Sequence, residues 1–177
     1  MIKAIETIYK GYRFRSRLEA RWAVFFDAIG VQWEYEKQGL IMPNGKYYLP
    51  DFWLSSEQLF WEVKNENENL FAFYKQLGDI DNVIPLVLSA GPPWNYYTSD
   101  VGYLGLADEG WWSHCPKCNK VGFTYAGWAG YIKGCKCYDM KNSSYKFDGT
   151  KTDKIIKAIA AAKQARFEHG ENGKPHA

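Results

Sequence analysis

Apolar residues first recur at helical spacing over residues 17–29, where Leu18, Trp22, Phe25, Phe26 and Ile29 fall on one face. Ser16, three positions before Glu19, has the spacing of a capping box, and Gly30 supplies a stop, so a helix is predicted over 17–29. Glu19 sits at the edge of the apolar stripe beside Trp22, Ala23 and Phe26, which half buries a carboxylate and aims it at whatever the helix packs on. The period then changes. Residues 31–36 alternate as a strand, Pro43-Asn44-Gly45 predicts a turn, residues 46–52 return as a second strand and residues 60–65 form a third. Leu70, Phe71, Tyr74 and Leu77 share one helical face within 67–77, and residues 84–88 read as an apolar strand. Strand, helix, strand implies a right-handed parallel crossover. The expected core is therefore α/β, in the order helix, three strands, helix, strand.

After Gly91-Pro92-Pro93 glycine, tyrosine and tryptophan become frequent, and all four cysteines lie between 115 and 137. A boundary is expected near 108–113. This divides the chain into a core over 1–110, a four-cysteine module over 111–150 and a terminal segment over 151–177. Within the last, residues 152–168 carry Ile155, Ile156, Ile159 and Ala162 together with Lys154, Lys157, Lys163 and Arg166, an amphipathic and partly basic helix. Its apolar face suits either pairing of two copies as a homodimer or packing on its own core. Residues from Gly170 onward should fray.

A length of 177 residues with 46% hydrophobic residues suits one ordinary domain plus a small appendage. No apolar run approaches the roughly 18 residues of a membrane helix, and no leader pattern opens the chain, so a cytoplasmic protein without a membrane partner is expected. The net charge of +2 says little about partners, but its distribution is uneven. Lys10, Arg13, Arg15, Arg17 and Arg21 crowd the first part among Tyr9, Tyr12, Phe14 and Trp22. Guanidinium groups bind phosphate bidentately and aromatic rings stack on bases, so this cluster suits a nucleic-acid backbone. A solvated arm and helix face is the other reading of the same residues.

The candidate chemistry centres on Pro50-Asp51, followed after a ten-residue gap by Glu62-Val63-Lys64. On a strand, Glu62 and Lys64 share one face while Trp61 and Val63 share the other. Phosphodiester hydrolysis needs a nucleophilic water, neutralisation of transition-state charge and help for the leaving oxygen, and a hard divalent cation supplies most of that. Mg²⁺ takes one or two carboxylates with water and phosphate oxygens, which Asp51 and Glu62 could furnish from adjacent strands, with the Val63 carbonyl as a third ligand. Lys64 would orient the attacking water or stabilise developing charge, and Glu19 would hold a second ion or a metal-bound water. Separately, each piece has an ordinary structural use: Glu-X-Lys as a surface ion pair, Glu19 as a cap, Pro-Asp as a turn. His114, His169 and His176 lie outside the core, which leaves histidine-metal and Ser-His-acid chemistry without a constellation. No Gly-rich loop runs into Lys-Ser or Lys-Thr, which argues against nucleotide hydrolysis.

Cys115-Pro-Lys-Cys118 and, sixteen residues on, Cys135-Lys-Cys137 form a two-knuckle pattern that can close a tetrahedral Zn²⁺ shell. Residues 121–132 have the aromatic content of a small hairpin, and His114 could replace one ligand. Disulfides are the alternative, disfavoured in a reducing cytoplasm. The knuckle either grips DNA through Lys117, Lys120, Lys133 and Lys136 or folds a segment with little core of its own, with Trp111, Trp112 and Trp128 as its core.

Taken together, Pro50-Asp51, the gap, Glu62-Val63-Lys64, the upstream Glu19 and the predicted element order resemble the PD-(D/E)XK nuclease superfamily over residues 9–93. Residues 13–26, and Ala165-Arg166-Phe167-Glu168-His169-Gly170, resemble a small branch found in phages and mobile elements. The resemblance implies a restriction-endonuclease-like core with a small zinc-ribbon-like module and a terminal helix. It also implies an Mg²⁺- or Mn²⁺-dependent DNA endonuclease that leaves a 5′-phosphate, with Asp51 and Glu62 as ligands and Lys64 as the catalytic lysine. Some members carry an iron–sulfur cluster in place of zinc. The superfamily also includes junction resolvases and exonucleases, and a non-catalytic DNA-binding or recruitment protein on the same scaffold is a further alternative.

Overall fold

In the computed structural model, which describes residues 5–78, 85–94, 100–103, 106–125, 132–137 and 149–167, the chain starts with a hairpin. Strands β1 (Thr7–Tyr9) and β2 (Tyr12–Phe14) are joined by Lys10 and Gly11, both at positive φ, the two-residue turn whose twist matches its strands. The basic, aromatic composition had concealed this alternation. Its purpose is Phe14, which is fully buried in the main core.

Helix α1 (Arg17–Ile29) begins with the expected Ser16 N-cap, the Glu19 N–H donating to Ser16 Oγ at 3.1 Å, while the Glu19 carboxylate accepts the Ser16 hydroxyl at 2.7 Å and not the Ser16 N–H of a full capping box. Gly30 ends it in the left-handed region at φ +81°, where a side chain would be strained. There follow β3 (Trp33–Tyr35), β4 (Leu40–Ile41), β5 (Tyr47–Tyr48), β6 (Phe52–Leu54), β7 (Leu59–Lys64), α2 (Leu70–Leu77) and β8 (Leu86–Ala90). The main sheet has the order β3-β6-β7-β8, antiparallel except for the parallel β7–β8 pair that α2 connects.

One expected strand is divided. Residues 46–52 do not run as a unit: β5 pairs with β4 in a side hairpin, and the sheet strand β6 starts only at Phe52. Pro50 has no N–H to give a ladder, so the chain leaves one sheet and enters the other at Leu49–Asp51. The other predicted spans hold with shifts at their ends; Asn69 caps α2 by accepting the Ala72 N–H, and Ile84 lies outside the described residues.

Beyond the main sheet, β9 (Asp100–Tyr103), β10 (Leu106–His114) and β11 (Val121–Tyr125) make a three-stranded antiparallel sheet, and a 3-10 turn (Gly149–Lys151) leads to α3 (Asp153–Gln164). Strand β10 runs unbroken across 108–113, where the composition changes. Strand β11 pairs with β10, and residues 126–131 of the expected 121–132 hairpin lie outside the described residues. Trp112 is not the core of a separate module: its ring lies 5.6 Å from Phe26, 5.7 Å from Trp61 and 5.6 Å from Phe123. Burying each such ring contributes about 2–3 kcal/mol. Ile155, Ala158 and Ala162 of α3 enter the same cluster, so the apolar face of this helix is used within the chain. Trp128, Glu168, His169 and Gly170 lie outside the described residues. The fold is thus mixed α/β with three helices and several small sheets among the described residues, and no described helix is long and apolar enough to cross a membrane.

Candidate active site and cysteine cluster

The antiparallel register pairs Phe52 with Trp61, so Asp51, one residue earlier, lies beside Glu62. The Asp51 N–H donates to Glu62 Oε2 at 3.2 Å, and the Val63 N–H donates to Asp51 Oδ2 at 2.8 Å. Val63 thus joins the group through its N–H. Glu19 reaches the same end of the sheet from the first turn of α1, where its Oε2 accepts the Tyr35 hydroxyl at 2.6 Å and the Arg15 N–H at 3.1 Å. The Lys64 ammonium lies 2.8 Å from Glu62 Oε1 and 3.9 Å from the centre of the Phe73 ring on α2. Glu19, Asp51 and Glu62 are 7%, 2% and 3% exposed, a burial that carboxylates reach only when paired or ligating.

Arg15, expected on a nucleic-acid backbone with Arg13, Arg17 and Arg21, reaches the carboxylate group from a side chain that stays exposed. Its Nη2 is 2.6 Å from Asp51 Oδ1 and its Nε is 2.8 Å from Glu36 Oε1. Glu36 adopts φ +46°, an unusual conformation for a residue with a side chain, and its N–H donates to the Asp51 carbonyl at 2.8 Å. Arg13 instead pairs with Glu6 at 3.2 Å on the surface, while Arg21 lies over Trp94. Arg17 and Arg21 are one turn apart on α1.

Glu36 and Asp51 therefore meet the Arg15 guanidinium and Glu62 meets the Lys64 ammonium, while Glu19 joins the group through the Arg15 backbone N–H. Burial first, and then the Glu62 and Glu19 charges, hold the Asp51 carboxyl well above the usual range, against the pull of the Val63 N–H and Arg15. Burial, and then Glu62, push the Tyr48 phenol up. Its hydroxyl is buried against Glu62 yet meets no hydrogen-bond geometry among the described residues. Tyr35 is likewise raised, by burial and by its bond to Glu19. Glu19, Asp51 and Glu62 are buried oxygen donors of the kind a hard divalent cation takes. Sequence reasoning did not find Tyr35, Glu36 or Tyr48. The alternation in 31–36 carried a signal, since it places Tyr35 and Glu36 at the strand end that pairs alongside Asp51. The open groove lined by Lys10, Tyr12, Asp27, Trp33 and Ser55 lies at the other end of α1 and shares no residue with this group.

The four cysteines come together as their spacing predicts. Their Sγ atoms all lie within 4.8 Å of one another, with Cys118 and Cys135 at 3.5 Å, and all four are free thiols. Tetrahedral zinc with Zn–S near 2.3 Å sets sulfurs about 3.8 Å apart, so the cluster fits that ion. Turn hydrogen bonds shape the first knuckle: Asn119 N–H to the Cys115 carbonyl at 2.7 Å and Cys115 N–H to the Lys120 carbonyl at 2.8 Å. Burial raises the Cys115 thiol, but the N–H groups of Cys118 and Lys117 and the neighbouring thiols outweigh it, leaving a pKa of about 7. His114 is not a ligand. Its Nδ1 is 3.1 Å from Thr152 Oγ1, at the start of α3, and its Nε2 is 2.9 Å from Asn119 Oδ1. Lys154 also reaches Asn119 Oδ1, which marks that atom as the acceptor and His114 as the Nε2–H tautomer.

No family model, curated protein or solved structure matches this chain. Any function must rest on the geometry.

Proposed function

We propose that this chain is a metal-dependent DNA endonuclease of the PD-(D/E)XK kind. The observation that carries the reading is the convergence of Glu19 from α1, Asp51 from the entry to β6, and Glu62 and Lys64 from β7, at one end of the β3-β6-β7-β8 sheet. A fold with no use for this group would not bury three carboxylates together, because each costs several kcal/mol to desolvate. Asp51 and Glu62 would hold Mg²⁺ or Mn²⁺, the Val63 carbonyl lying on the same strand end. When bound, the ion supplies Lewis acidity at the phosphate and lowers the pKa of water.

The side chains divide the remaining work. Lys64, fixed by Glu62 and the Phe73 ring, would hold its Nζ near an attacking water and stabilise charge that develops there. Glu19, oriented by Ser16 and Tyr35, is placed to accept a hydrogen bond from that water. Arg15 pairs with Asp51 Oδ1 in the free protein, and a metal ion taking that oxygen would leave its guanidinium for a phosphate. Zinc at the four cysteines would tie the turn between β10 and β11 to residues 135–137.

The test is incubation of purified protein with supercoiled plasmid, linear duplex, single-stranded DNA and a four-way junction, in Mg²⁺, Mn²⁺ or EDTA, beside Lys64→Ala. Metal-dependent cutting by the wild type, lost in a folded Lys64→Ala, is the expected result, and the preferred substrate sorts endonuclease from resolvase or exonuclease. DNA binding with no cutting in either metal would transfer the chain to the binding or recruitment class.

A further inference from the structure

Asp51 is buried, yet the cation on it belongs to a side chain that is 56% exposed. Arg15 stands in the short link between β2 and α1, and its N–H is shared by Glu19 Oε2 and the Tyr35 hydroxyl, 3.1 Å from each. Its backbone is thus fixed independently of its guanidinium. That guanidinium bridges two carboxylates with different nitrogens, Nη2 lying 2.6 Å from Asp51 Oδ1 and Nε lying 2.8 Å from Glu36 Oε1. Among the described residues Asp51 Oδ2 accepts the Val63 N–H, so Oδ1 is the oxygen more open to a ligand, and Arg15 covers it. Glu36 is held without Arg15. Its N–H donates to the Asp51 carbonyl at 2.8 Å, and its backbone stands at φ +46°, which ties the second carboxylate to the chain of the first.

We infer that Arg15 is a phosphate-positioning residue pivoted on Glu36, so that a divalent metal ion and a phosphate ester bind this site cooperatively. The inference rests on the metal-site reading under the proposed function and adds a regulation to it. A dication on Asp51 Oδ1 repels a guanidinium on the same oxygen, which breaks the Nη2 contact. The Nε contact lies on another carboxylate and survives. Released from Asp51 and still anchored by Glu36, the guanidinium presents its outer nitrogens to a phosphate oxygen beside the ion. A phosphate that engages Arg15 in turn draws it off Asp51 and uncovers Oδ1. Each ligand therefore favours the other, by the same factor in both directions.

The test measures Mn²⁺ binding to zinc-loaded protein from the electron paramagnetic resonance of free Mn²⁺, with and without saturating thymidine 5′-monophosphate. Wild type, Arg15→Gln and Glu36→Gln are compared, with the melting temperature of each. Without nucleotide, Arg15→Gln should bind Mn²⁺ about 5-fold more tightly than wild type, the upper end for losing a competitor whose side chain is mostly exposed. The nucleotide should tighten Mn²⁺ binding about 10-fold in the wild type but only about 2-fold in Arg15→Gln, where direct contact of ion and phosphate remains. Glu36→Gln should also show reduced coupling, because the released guanidinium has lost its charged anchor; full coupling in that variant would overturn the pivot. Unchanged or weaker Mn²⁺ binding by a folded Arg15→Gln would make Arg15 a structural tie and overturn the inference. Tighter binding with undiminished coupling overturns it too, since the guanidinium would then compete with the ion without passing to phosphate. A wild type with no coupling overturns it without any variant, and a wild type that binds no Mn²⁺ overturns the metal site as well. Coupling in a protein that never cuts the plasmid leaves the handover standing and removes the nuclease reading, and cutting without coupling does the reverse.

Discussion

Asp51→Asn removes one charge from the carboxylate group while keeping its shape and an acceptor for the Val63 N–H. Asp51 is 2% exposed, and its carboxyl is held above the usual range by burial and by Glu62 and Glu19. In the unfolded chain the same group titrates near about 3.9. A folded pKa above the unfolded one means that the native state retains the proton where the unfolded state has lost it. Stability from this group is therefore fully present below the unfolded pKa and is lost as pH rises through the folded pKa, at up to about 1.4 kcal/mol per pH unit. Asparagine has no such titration. Urea unfolding of zinc-loaded, Mg²⁺-free protein, followed by tryptophan fluorescence from about pH 4 to about pH 8, should show wild-type stability falling relative to the variant. Mg²⁺ should then reverse the order, adding about 1.4 kcal/mol to the wild type at ten times its Kd and little to Asp51→Asn. Equal pH slopes in the two proteins, or a wild type more stable at the alkaline end without Mg²⁺, would mean that Arg15 already compensates Asp51. The group would then be a structural ion-pair network, not a strained metal site.

Elemental analysis should find one zinc per chain, and Cys118→Ser should lose both the zinc and several degrees of melting temperature; a protein that is folded and metal-free would refute the cysteine assignment. A methyl at Gly110 would overlap the Phe123 ring, so Gly110→Ala should cost about 1–3 kcal/mol in chemical denaturation. An unaffected variant would show that the β10–β11 packing is loose. Ser16→Ala removes the acceptor for the Glu19 N–H and one hydrogen bond to the Glu19 carboxylate, and should cost about 1 kcal/mol. If its stability is unchanged, α1 does not depend on this cap.

Much of this protein could be read along the chain because helices and caps are local. The stripe from Leu18 to Ile29, its Ser16 cap and its Gly30 stop lie within one stretch of sequence, and α1 forms with those bounds. The face alternation of 61–64 put Trp61 and Val63 into the core with α1 and turned Glu62 and Lys64 the other way. The two cysteine pairs marked a candidate metal centre because a four-ligand shell needs only two short turns. Tertiary structure decided the rest, since register and packing join residues far apart. The break at Pro50 moved the sheet strand to Phe52–Leu54 and set Asp51 against Glu62. Arg15, a plain member of a basic run in sequence, became the counter-ion of a carboxylate 36 positions away. Trp112, counted by composition with the cysteine module, filled the core between Phe26 and Trp61, because a large apolar ring goes wherever it excludes most water, whichever segment carries it.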